Sequence, residues 1–245
     1  MNLSFSFSEK KGFTLMESVI AIGVVAILIT TFLAIFGPAT QGIRRAISAQ
    51  DADRLAVALE SELGILRESE NANEVNSAFD KAYDWLEKSS QAETGRIFLY
   101  NFKGDPTKKG TDGIMEPIDS KDTKPSSGKK YIVTPAVRFL EGKITPEMIA
   151  ELKVASGPVF YVKTTQLIYE DGAMVLSDEP GLKPPHKDSD PLPGGGSAAD
   201  AYPEAVIAFT ADFHLMKSSS PDYLGNLDFT KLGRPLFSRN MAVRR

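Results

Sequence analysis

Polar and apolar positions divide the chain into stretches of different period. From Val19 to Phe36 the sequence reads VIAIGVVAILITTFLAIF, with no charge inside it. Thr30 and Thr31 are its only polar side chains, and a threonine hydroxyl can bond back to a helix carbonyl. At a rise of about 1.5 Å per residue the run is close to the length that crosses a bilayer core. A buried helix of a soluble protein is seldom apolar on every face for so long. Pro38, after Gly37, is expected to bend or loosen the helix. Beyond it Ile43, Ile47, Leu55, Leu59, Leu63 and Leu66 recur at helical spacing, with alanines between them. Arg44, Arg45, Asp53, Arg54, Glu60 and Arg67 mostly take the other sides. The pattern predicts a membrane-spanning helical segment over residues 13–37 and an amphipathic continuation of that helix over 38–70.

The remainder, 71–245, reads as a globular region of mixed period. Residues 73–88 predict a short helix in which Phe79, Tyr83 and Leu86 share a face, with Val75 one turn earlier and Trp85 to the side. That aromatic group suits a core better than a ligand cage. Arg96–Phe102 reads as a strand, and 103–129, rich in Gly, Lys, Asp, Pro and Ser, as a long loop. Tyr131–Phe139 is a second strand, which Pro135 pushes to an edge or a bulge. Thr145 is placed to cap a helix that has Pro146 in its first turn and runs to about Val154. Val159–Tyr169 and Ala173–Leu176 predict a hairpin around Asp171-Gly172. Residues 179–203 are expected to form a mobile loop rather than a domain linker, because a strong strand follows. In that strand, Ala205–Leu215, residues 205, 207, 209, 211, 213 and 215 are apolar, while Thr210, Asp212 and His214 face the other way. The tail PLFSRNMAVRR predicts a last strand. No internal repeat is evident. The expected fold class is α+β: a long N-terminal helix packed on a mainly antiparallel sheet with short helices.

Composition narrows the function. A formal net charge of −4 argues against a nucleic-acid binder that works by charge alone. Cysteine is absent, which removes disulfides, a thiol nucleophile and cysteine-based zinc sites. With only His186 and His214, a three-histidine metal site within one chain is excluded.

The apolar run admits three readings. It is long for a secretory signal peptide, although Gly37-Pro38-Ala39 offers small residues for a signal peptidase. It could be a plain uncleaved anchor. The third reading rests on the residues just before it, Lys11-Gly12-Phe13-Thr14-Leu15-Met16-Glu17. This segment resembles the class III signal of type IV pilins and type II secretion pseudopilins: a short basic leader, a glycine, an aromatic or methionine, then Thr-Leu-x-Glu and about twenty apolar residues. The likeness is specific over residues 10–36 and much weaker beyond them.

The resemblance implies that residues 1–12 are a leader and that a prepilin peptidase cuts between Gly12 and Phe13 on the cytoplasmic side. It implies N-methylation of Phe13, retention of the apolar helix, and assembly into a filament with other pilin or pseudopilin subunits. The inner membrane would hold the helix, with the N-terminus cytoplasmic and the C-terminal domain on the periplasmic side. A pilin-like, minor subunit of this kind is not an enzyme, and its further partner could be secreted cargo. Physical reasons support the individual residues. Gly12 lets an extended backbone lie close to a protease, and Lys10 and Lys11 favour the cytoplasm. Glu17 is a carboxylate at the membrane end of an apolar helix: at the headgroup boundary it would merely solvate the helix end, whereas inside the hydrocarbon, where charge costs about 2.5–3.5 kcal/mol, it would mark function. In the family that acid is thought to pair with the N-terminal amine of a neighbouring subunit, fixing axial register.

Other candidate chemistry is sparse. His214 reads as a surface histidine on the polar face of its strand, and His186 sits in the expected loop. Asp188 and Asp190 could hold calcium, as some pseudopilins do, but their spacing matches no EF-hand and a solvated acidic loop fits as well. Gly194-Gly195-Gly196 lacks the lysine and helix of a phosphate loop. No Gly-x-Ser-x-Gly elbow occurs, so no catalytic residue and no cofactor is assigned. Arg234, Arg239, Arg244 and Arg245 make the C-terminus basic, read as a solvated terminus or as a lipid or DNA contact. The alternatives are therefore a minor pilin acting in adhesion or DNA uptake, or a secreted protein with an ordinary signal peptide.

Overall fold

The computed structural model describes residues 14–67, 77–91, 95–110, 113–118, 128, 130–142, 144–184, 198–218, 220, 223 and 232–245. The chain divides into two units, Met1–Ala46 and Ile47–Arg245.

The described part of the first unit is helical. Helix α1 (Leu15–Leu63) carries the whole apolar run and contains Pro38. The expected loosening at Pro38 does not interrupt it. A proline removes one amide donor, while the bonds on either side still hold the turn. Nearby, Thr40 Oγ1 donates to Gly37 O at 2.8 Å.

The second unit begins with the last turns of α1. Their stripe is buried from Ala52 onward, through Leu55, Ala56, Leu59 and Leu63, whereas Ile47 stays exposed. Helix α2 (Ala78–Ser90) follows, capped by Ser77, whose hydroxyl accepts from Asp80 N at 3.1 Å. Next come β1 (Gly95–Lys109), β2 (Met115–Pro117) and β3 (Ile132–Glu141). The chain then forms α3 (Pro146–Lys153), β4 (Ala155–Glu170), β5 (Ala173–Leu176), α4 (Ala198–Ala201), β6 (Val206–Leu215) and β7 (Phe237–Arg244).

The strands form one antiparallel sheet in the order β2-β1-β4-β6-β7, with β3 also on β1 and β5 on β4. Among the described residues β3 pairs only with β1, which fits the edge position that Pro135 demands. Asp171 and Gly172, with φ of 48° and 85°, close the β4–β5 hairpin between the paired residues Glu170 and Ala173. Two consecutive positive φ values are what a tight two-residue hairpin turn requires. Thr145 caps α3 as expected, accepting from Met148 N at 3.3 Å, with Pro146 in the first turn.

Two parts differ from the sequence reading. The stretch 103–129 contains strand: β1 continues to Lys109 and β2 pairs back onto it. Gly104, Asp105 and Pro106 read locally as loop, but β3 and β2 supply ladders on both sides of Gly104. Within 179–203, the described ends hold α4 and the buried residues Ala199 and Tyr202.

Both faces of the sheet carry apolar layers. On one face the end of α1 and α2 cover Ile97, Leu99, Val137, Phe160, Val162, Phe209, Ala211, Phe213 and Met241. On the other, α3 brings Met148 and Leu152 onto Phe98, Tyr100, Phe102, Val159 and Tyr161.

Candidate functional site

The first candidate site is the start of α1. Thr14 precedes the first helical residue, and Glu17 lies three residues further on. Glu17 N donates to Thr14 Oγ1 at 3.2 Å, and Thr14 N donates to Glu17 Oε2 at 3.4 Å. This is a reciprocal capping box, which satisfies two donors that a helix start otherwise leaves open. Its signature, Thr-x-x-Glu before an apolar run, is legible in the sequence, so Glu17 has a local role beside any role in assembly. Gly12 and Phe13 lie outside the described residues.

Beyond the cap, every large side chain from Leu15 to Phe36 is exposed, and no residue of the most apolar window is buried within the chain. The threonines do not spoil this surface, because Thr30 Oγ1 donates to Ala26 O and Thr31 Oγ1 to Ile27 O, each at 2.8 Å. Leu15–Phe36 at about 1.5 Å per residue spans about 33 Å. The unit therefore presents one N-terminal helix long and apolar enough to cross a membrane.

The globular unit holds a charge cluster that residue patterns did not single out. Glu62, well past the apolar run, accepts from Arg67 Nη2 at 2.6 Å and from Lys81 Nζ at 3.2 Å. Lys81 is 2% exposed and lies over the Trp85 ring, 5.2 Å from its centroid. Burial alone would raise the Glu62 pKa, but the hydrogen bond from Arg67 and the charges of Lys81 and Arg67 hold it below its ordinary value. Glu62 and Lys81 are nineteen residues apart, so no local spacing reveals the pair.

His214 is a correction to the surface assignment. It is buried, beside Tyr161 at 6.2 Å between ring centroids. Its face of the strand is covered here by the α3-side core. Desolvation lowers its pKa, opposed in part by the Asp212 charge and a backbone hydrogen bond at Gly233. The same burial pushes the Tyr161 phenol up to about 12.

Gln166 is a second buried polar anchor. Its Nε2 donates to Lys183 O at 2.6 Å and to Tyr202 Oη at 3.1 Å, while its Oε1 accepts from Lys183 N at 2.8 Å. Gly181 N donates to Ser90 Oγ at 2.7 Å, tying the same stretch to the end of α2.

The basic C-terminus is only partly solvated. Arg239 pairs with Asp53 and Glu60 of α1, at 3.3 and 3.7 Å. Arg245 donates from Nη2 to the carbonyls of Ala199 and Tyr202 and stacks over Phe79, 4.8 Å from its centroid. Arg234 and Arg244 stay exposed. His186, Asp188, Asp190 and Gly194–Gly196 lie outside the described residues. Among the described residues no group of three His, Cys, Asp or Glu is arranged to hold a metal ion.

The arrangement offers apolar and charged surface for association. Of its site candidates, Glu17 is tied to its own helix start, and the buried polar groups just described secure the domain. No family model matches the chain, and no curated protein or solved structure matches it.

Proposed function

We propose that the chain is a pilin-like, minor pseudopilin subunit with an assembly role rather than an enzymatic one. A prepilin peptidase removes residues 1–12, Phe13 becomes the methylated N-terminus, and the product enters a type II secretion or type IV pilus-like filament. The observation that carries this reading is the string Gly12-Phe13-Thr14-Leu15-Met16-Glu17 leading into an apolar helix that starts at Leu15.

Three features support it physically. Cleavage after Gly12 would set a new amine one residue ahead of the Thr14 cap and four residues ahead of Glu17 in sequence. The exposed surface from Leu15 to Phe36 requires lipid or sister helices to cover it. An α+β domain, a helix end packed on an antiparallel sheet, is what a pilin-like fold would add beyond the membrane. In this reading the N-terminus faces the cytoplasm, the domain lies in the periplasm, and the domain meets other subunits and secreted cargo. Nucleic acid is not its partner, which accords with Arg239 and Arg245 being engaged inside the domain.

Mass spectrometry of protein recovered from its native membranes tests the proposal. The expected N-terminal peptide begins at Phe13 and carries one added methyl group. A chain beginning at Met1 would refute processing. One beginning at Thr40 would identify an ordinary signal peptide instead.

A further inference from the structure

Between Glu17 and Arg44 the chain carries no ionisable side chain. Both residues lie on α1 and within the first unit, twenty-seven helical steps apart. At about 1.5 Å per step that is about 40 Å. A bilayer measures about 40–45 Å with both headgroup layers included. With Glu17 at one headgroup layer, Arg44 and Arg45 stand at the other.

The intervening residues fit the same placement. The unbroken apolar run ends at Phe36, and Gly37, Pro38, Ala39, Thr40, Gln41 and Gly42 follow, none of them charged. Helical side chains lean towards the N-terminus of their helix. Both arginine stems therefore run back along α1 towards the apolar run, the direction in which a long cationic side chain snorkels here.

No protein group competes for the two cations. The positions three and four residues to either side hold Thr40, Gln41, Gly42, Ile47, Ser48 and Ala49, so no helical ion pair is open to them. Both side chains are exposed, and among the described residues neither makes an ion pair or a side-chain hydrogen bond. Arg67, Arg138 and Arg239 of the other unit each meet a carboxylate. A guanidinium keeps its charge and offers paired N–H donors that match a phosphate. Attraction to anionic lipid grows with each arginine held near the surface.

We propose that Arg44 and Arg45 bind the headgroup phosphate of an anionic phospholipid in the leaflet where α1 leaves the membrane. The contact sets the depth of the span. The proposal rests on α1 crossing a bilayer, not on peptidase processing or filament assembly.

The test uses the full chain in phosphatidylcholine bilayers, with spin-labelled phosphatidylglycerol or phosphatidylcholine as the probe. Electron spin resonance reads the share of each lipid slowed at the protein surface. The parent chain should hold phosphatidylglycerol about threefold or more over phosphatidylcholine, and molar salt should reduce that preference. Arg44→Gln with Arg45→Gln should abolish it, whereas Lys10→Gln with Lys11→Gln should leave most of it. Both arginine positions are exposed, and unchanged urea unfolding checks the fold of each variant. Inorganic phosphate, matched in ionic strength to sodium chloride, should displace no more lipid than the chloride does. Stronger displacement would assign the pair to a soluble phosphate and overturn the proposal. An equal hold on both lipids by the parent overturns it, as does a preference that survives the arginine variant. If that variant loses self-association while keeping its lipid preference, the occupant is a second copy. Polarised infrared spectra of oriented bilayers give the helix direction. A helix lying in the membrane plane removes the spanning reading and the proposal with it, while an upright helix without lipid preference removes the proposal alone.

Discussion

Lys81 Nζ sits 3.2 Å from Glu62 Oε1, joining α2 to the last turn of α1 where both side chains are buried. Removing one member of a buried ion pair leaves the other uncompensated and costs about 3–5 kcal/mol. Arg67 still holds Glu62, so Lys81→Met is expected to cost about 3 kcal/mol, at the low end of that range. The double replacement Glu62→Leu with Lys81→Met should recover most of the loss. Urea unfolding followed by the fluorescence of Trp85, the single tryptophan, reads both values. A double variant no more stable than Lys81→Met would show that the pair is not the source of the cost.

At Glu17 the capping role can be separated from the proposed assembly role. A capping box accepts glutamine as well as glutamate, so Glu17→Gln keeps the helix start while losing the charge. If the carboxylate pairs with a neighbouring amine, Glu17→Gln and Glu17→Ala should both be processed and both enter filaments poorly. If capping is the whole role, Glu17→Gln should assemble normally. Counting processed protein in sheared filament and membrane fractions distinguishes these outcomes.

His214 predicts a pH effect near neutrality. Its folded-state pKa lies below the ordinary 6.5, because burial disfavours the cation. The unfolded chain therefore takes up the proton first as pH falls. The stabilising contribution is fully present above 6.5 and is lost as pH falls through the lower folded value. Asp212, Lys163 and the backbone at Gly233 are the groups acting on it. The urea midpoint should decline as the pH is lowered from 7 through that window, and His214→Leu should flatten the decline. Glu62 adds a separate loss at more acidic pH, below the ordinary glutamate value of 4.5.

Gln166→Leu should leave the amide and carbonyl of Lys183 and the hydroxyl of Tyr202 without their buried partner. Each such group costs about 1–3 kcal/mol when stranded, and part of the set can turn to water. A loss of about 2–3 kcal/mol is expected, with faster hydrogen exchange at the Lys183 amide. Unchanged exchange there would mean that the glutamine does not hold this stretch.

What could be read in advance follows the range of the interactions. The Thr145-Pro146 helix start and the Asp171-Gly172 turn are visible because a cap and a tight turn are decided within a few residues. The apolar alternation from Ile207 to Phe213 is likewise local, although the ends of that stripe, Ala205 and Leu215, prove exposed. The extension of β1 to Lys109 is set by neighbouring strands, so Gly104, Asp105 and Pro106 mislead when taken alone. Glu62 and Lys81 meet only when α2 folds against the end of α1. His214 alternates with apolar residues as a surface side chain would, and only the packing around Tyr161 shows that it is enclosed. The Thr14–Glu17 cap was open to local reading, because its spacing is the signal.

Lys183 and Tyr202 are both moored to the one amide of Gln166. The strands on either side of this junction are therefore insulated from the length of chain strung between the two moorings. The register of β4 with β6 is therefore held at this junction by the Gln166 side chain as well as by the strand ladder.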